Sequence, residues 1–159
     1  MTRRSAAPLM WLALLPLLGA SSGCEVAEGK SCTEVGCQSG FTLAFQNSAW
    51  PAGTYTVQAV TAAGPRTCSV VLPFSDISPA VTCSGGAMQL GTSGSALPAA
   101  QHSLVGITLP DLPAQVTVTV KRDDKTLASQ AFTPAYKTSQ PNGAGCEPTC
   151  TQAAATLSW

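Results

Sequence analysis

The run Val116-Thr117-Val118-Thr119-Val120 alternates apolar and polar side chains without interruption. A period of two puts the three valines on one face of an extended strand and the threonines on the other, as in a strand with one face on a core and one in water. The same period recurs toward the N-terminus. Phe41, Leu43 and Phe45 alternate with Thr42, Ala44 and Gln46, and Tyr55, Val57 and Ala59 alternate with Thr54, Thr56 and Gln58. Met88 with Leu90, Val105 with Ile107 and Leu109, and Ala155 with Leu157 and Trp159 follow it more weakly. Turn chemistry separates these runs. Ala62-Ala63-Gly64-Pro65 and Arg122-Asp123-Asp124-Lys125 each suit a hairpin, and Pro51, Pro73, Pro79, Pro98, Pro110, Pro113, Pro134 and Pro141 fall between runs. No window sustains the i, i+3, i+4 spacing of an amphipathic helix. The expectation is an all-β, antiparallel sandwich of about seven to nine short strands.

Gly53-Thr54-Tyr55-Thr56-Val57 resembles the Gly-x-Tyr-x-Val strand of bacterial immunoglobulin-like and carboxypeptidase-regulatory-like modules. That resemblance implies an immunoglobulin-like sandwich over residues 41–159. Residues 24–40, polar and small, read as a tether ending in a stapled segment.

The leader is of another kind. Arg3 and Arg4 precede an uncharged apolar stretch from Pro8 to Ala20, too short for the ~20 residues of a spanning helix and suited to an export signal over residues 1–23. Ser21-Ser22-Gly23-Cys24 resembles the lipobox of bacterial lipoproteins, although Ser21 stands where leucine is usual. The resemblance implies acylation of Cys24, anchorage by acyl chains and, with Glu25 rather than aspartate following, delivery to the outer membrane. The residues after Arg3-Arg4 do not continue a twin-arginine motif.

The seven cysteines are Cys24, Cys32, Cys37, Cys68, Cys83, Cys146 and Cys150. An odd number in an exported protein leaves one thiol over. Assigning Cys24 to lipid leaves six for three disulfides in an oxidising compartment. Cys68 and Cys83 share the parity of the inward residues of two apolar runs, 67–72 and 80–83, which favours pairing them in one core. The other four form Cys-x-x-x-x-Cys and Cys-x-x-x-Cys doublets far apart in sequence. Pairing within each doublet is one option, but segments preceding a first and last strand that lie side by side in parallel would be neighbours, which favours crosslinking Cys32 and Cys37 to Cys146 and Cys150. Which member meets which is open. The rival, a four-cysteine zinc site, requires thiolates that the same compartment disfavours. The Pro141-Asn142-Gly143 and Cys146-x-Pro148-x-Cys150 loop resembles that of small secreted lipoproteins.

Catalytic signatures are sparse. His102, the single histidine, neighbours Ser103, but adjacent strand residues face opposite ways, and a loop histidine is the simpler reading. Asp76 and Asp111 are the best pair of carboxylates for a hydrolase, which needs two across a cleft. Asp123-Asp124 suits a charged turn better than a calcium site. Ser84-Gly85-Gly86 through Gly91-Thr92-Ser93-Gly94-Ser95 lacks the lysine of a phosphate loop and reads as flexible loop. Trp50, before Pro51, covers a core end or stacks on a sugar. Trp159 follows an alternating strand as in outer-membrane barrels, but these runs are too short and too rich in proline for one.

Eight Lys+Arg balance eight Asp+Glu, so no basic excess suggests nucleic acid. Loss of residues 1–23 removes Arg3 and Arg4 and leaves a formal charge of −2. The expected function is a non-enzymatic binding or structural module, lipid-anchored in the bacterial cell envelope, with a protein or polysaccharide ligand and no metal or cofactor. The alternative is an envelope hydrolase acting on glycans or peptides through loop carboxylates.

Overall fold

The alternating runs form strands in a computed structural model that describes residues 31–159. In chain order the strands are β1 (Gly40–Gln46), β2 (Gly53–Thr61), β3 (Gly64–Leu72), β4 (Thr82–Ser84), β5 (Gln89–Ser93), β6 (Ser103–Leu109), β7 (Val116–Arg122), β8 (Lys125–Phe132), β9 (Lys137–Ser139) and β10 (Cys150–Ser158). A 3-10 turn, Ala99–Gln101, precedes β6. One sheet has the order β5-β6-β1-β10-β9 and the other β4-β3-β2-β7-β8. The leader and Cys24 lie outside the described residues.

Ten strands replace the expected seven to nine. β4 and β9 are three residues long, exposed throughout and on sheet edges; β4 overlaps the apolar run 80–83, whereas β9 carries no apolar period for a sequence reading to find. The glycine-rich stretch read as loop contains β5, whose Leu90 is buried while Gln89 and Ser93 are exposed. Gly91 fits because a Cβ there would run into the Val105 side chain on β6.

The inner faces are those the alternation marks. Val116, Val118 and Val120 of β7 are buried, as are Tyr55, Val57 and Ala59 of β2 and Phe41, Leu43 and Phe45 of β1. Each fully buried large apolar side chain contributes about 1.5–3 kcal/mol relative to exposure. The β7–β8 hairpin closes through Asp123 (φ 49°) and Asp124 (φ 65°), the left-handed pair of a type I′ turn, whose twist matches that of the flanking strands.

Pairing is antiparallel except at one place. β1 runs parallel to β10, with Gly40 opposite Gln152, and antiparallel to β6. The parallel alignment continues upstream as covalent bonds. Cys37 is bonded to Cys150 and Cys32 to Cys146, at sequence separations of 113 and 114. Both separations are within two residues of the β1–β10 offset, so two strands running the same way bring the earlier cysteine to the earlier and the later to the later. Residues 32–39, read as tether, belong to the compact unit Cys32–Trp159.

The third disulfide joins Cys68 to Cys83, directly opposite on β3 and β4. The pair differs from the expectation only in burial. Cys68 and Cys83 share one face of the sheet, as directly opposed residues must, but Cys68 is fully buried beside Val70 and Leu72 whereas Cys83, on the edge strand, is exposed.

Candidate functional site

The sandwich has two chemically different ends. At the stapled end lie the starts of β1 and β10, the end of β6 and the disulfides Cys32–Cys146 and Cys37–Cys150. Asn142 is buried between the two stapled segments. Its Oδ1 accepts from Thr33 Oγ1 (2.7 Å) and from the Val35 N–H (2.8 Å), and its Nδ2 donates to the carbonyls of Val35 and Glu147. One amide thus serves as the hydrogen-bonding partner that a neighbouring strand would supply. The Pro-Asn-Gly run was the only trace of this role in sequence.

Arg66 bridges the two sheets at the same end. It has the inward parity of Cys68 and Val70 on β3, and its guanidinium binds both carboxylate oxygens of Asp111 in the loop after β6 (Nη2–Oδ2 2.7 Å). It also donates to the Ala87 carbonyl (3.1 Å). The Asp111 side chain is 41% exposed and that of Arg66 only 9%. The hydrogen bonds from Arg66 hold the Asp111 carboxyl below its ordinary value, and those to Asp111 raise the guanidinium. Beside this pair an open groove of about 730 Å³ runs between the β2–β3 turn and the loop before β7, lined by Val60, Ala62, Leu112 and Pro113. Tyr136 braces that loop by donating to the Pro113 carbonyl (3.0 Å).

At the far end Trp50 covers the core. Its ring centroid lies 5.3 Å from Tyr55 and 5.3 Å from Trp159, and Trp159 packs edge-on against Phe45. Trp159 therefore caps a sandwich. His102 is buried, not solvated. A backbone N–H only donates, so the 2.9 Å contact from the Phe74 N–H leaves Nδ1 without a proton, and Nε2–H donates to the Leu97 carbonyl at 2.9 Å. Both ring nitrogens are engaged, and the Phe74 ring stacks on the imidazole at 4.8 Å. His102 is a strut for the loops and is not placed to activate Ser103.

Between Trp50 and the 3-10 turn lies a depression of about 350 Å³ that includes Asn47, Ser48, Gln101 and Ser103, with His102 in its lining. No Lys, Arg, Asp or Glu side chain lines it. The 47–49 turn is fixed by Asn47 Nδ2 donating to the Ala49 carbonyl (2.7 Å).

The remaining candidates fall apart in space. Asp76 follows β3 at the far end, near Phe74 and His102, whereas Asp111 follows β6 at the stapled end. They do not face one another, which removes the carboxylate pair offered for a hydrolase. Asp123 binds across to β2 through Thr54, its Oδ1 accepting at 2.8 Å and its N–H donating to the carbonyl at 2.9 Å. Among the described residues no three His, Cys, Asp or Glu side chains converge as a metal site, and the four cysteines weighed for zinc are spent in disulfides. No protein-family model, curated protein or solved structure matches this chain.

Proposed function

We propose that this chain is an exported lipoprotein of the bacterial cell envelope, held at the outer membrane by acyl chains on Cys24, whose stapled sandwich serves as a non-enzymatic binding or structural module. The observation that carries this reading is the pairing of six cysteines into three disulfides. Disulfides persist in oxidising compartments, and their pairing accounts for every cysteine except the one in the lipobox-like sequence. The strand order departs from the immunoglobulin half of the resemblance. Immunoglobulin domains keep their first two strands in one sheet, whereas β1 and β2 lie in different sheets.

Intact-mass analysis of detergent-extracted protein tests the anchoring. The expected species begins at Cys24 and carries acyl groups, and Cys24→Ala moves the protein from the membrane to the soluble fraction. An unmodified Cys24 thiol, or cleavage elsewhere, overturns the reading.

A further inference from the structure

The depression at the far end differs from the groove at the stapled end in its chemistry. Its polar side chains are uncharged: the amides of Asn47 and Gln101 and the hydroxyls of Ser48 and Ser103. Among the described residues, Ser48, Gln101 and Ser103 make no side-chain hydrogen bond, and Asn47 uses only its Nδ2, so donors and acceptors face solvent uncommitted. Two apolar surfaces flank them, the partly exposed Trp50 ring and Val105, which is 49% exposed. Trp50 is held by Phe45, Tyr55 and Trp159, so its orientation is set before any ligand arrives. His102 is occupied on both nitrogens and offers neither a base nor an acid.

A ligand suited to this surface is compact, neutral and amphipathic, with hydroxyls in several directions and a C–H face for the indole. An anion would find no cationic side chain, and a cation no carboxylate. From these features we infer that the depression is a subsite for a neutral saccharide, bound without cleavage. This rests on the binding-module reading and names its ligand class. The absence of carboxylates from the lining fits binding, because glycoside hydrolysis needs two.

The test is a fluorescence titration of the full chain, extracted from envelopes, with neutral tetrasaccharides of glucose, mannose and N-acetylglucosamine. At least one is expected to bind saturably at millimolar concentration and to perturb tryptophan emission. Gln101→Ala, an exposed substitution, should weaken binding about tenfold through the loss of its hydrogen bonds. Trp50→Phe keeps an aromatic cap and should abolish the spectral change. Leu112→Ala, in the groove at the other end, should leave affinity unchanged. No binding by any of the three sugars overturns the inference. So does binding that Gln101→Ala leaves intact or Leu112→Ala weakens, or tighter binding of acidic saccharides or of peptides. Acylation of Cys24 is read separately by mass, so failure of the sugar site and failure of the anchor are distinguishable.

Discussion

Arg66 and Asp111 illustrate how one misplaced charge is made tolerable. A guanidinium at an inward position of β3 would be costly alone, and the bidentate carboxylate across the sheets satisfies it. Because Arg66 holds the folded Asp111 carboxyl below its ordinary value, the pair stabilises fully above the unfolded aspartate value of ~3.9 and loses that contribution as pH falls through the lowered folded value. Asp111→Asn should therefore destabilise the protein near neutrality, by about 1 kcal/mol once solvent screening of the 41% exposed carboxylate is allowed for. Urea denaturation at a series of acidic pH values should show a shallower acid loss in the variant than in the parent protein. Parallel acid limbs would contradict the assignment. The pair escaped sequence reading because Arg66 adjoins Pro65 in a turn signal, and only the parity of β3 reveals that it points inward. His102 escaped for a related reason, since its partners Phe74 and Leu97 belong to loops whose paths no periodicity encodes.

At the scale of elements, period two marked the strands whose buried and exposed faces alternate cleanly. β5 lay in a stretch read as loop, and β8, eight residues long without a buried residue, was legible through its charged hairpin turn. β1, β2 and β7 were legible residue by residue, whereas β4 and β9 have no buried residue to make a pattern. Close approaches were illegible as well. Gly106 of β6 sits at φ 151°, and a Cβ there would collide with the Leu43 carbonyl and the Ala44 backbone of β1. Gly106→Ala should destabilise by at least the ~1–3 kcal/mol of a strained backbone, with the steric clash added. Thermal and denaturant unfolding check this directly. A variant within experimental error of the parent would mean that β6 and β1 are farther apart than their register implies.

At the scale of the molecule, the two staples make an unequal demand on chain entropy. Either one alone closes a loop of more than 110 residues, worth about 4–5 kcal/mol in the chain-entropy account. Once one is formed, the other closes only the short ring between the doublets, worth about 3 kcal/mol. Removing one staple, as Cys32→Ser with Cys146→Ser, should thus cost about 3 kcal/mol, and removing both about 7 kcal/mol. The double loss exceeds twice the single, and equal, additive losses in equilibrium unfolding would contradict the nested geometry. Sequence spacing led to crosslinked doublets but not to their partners, because register is a property of the β1–β10 pairing and not of the local sequence.

The central claim is that six cysteines staple the sandwich and the seventh anchors it. Peptide mapping without reductant, on protein extracted from envelopes with free thiols blocked, tests it most directly. The account predicts Cys32 linked to Cys146, Cys37 to Cys150 and Cys68 to Cys83, with Cys24 recovered only in an acylated peptide. Recovery of Cys24 in a disulfide with any of the other six would contradict it.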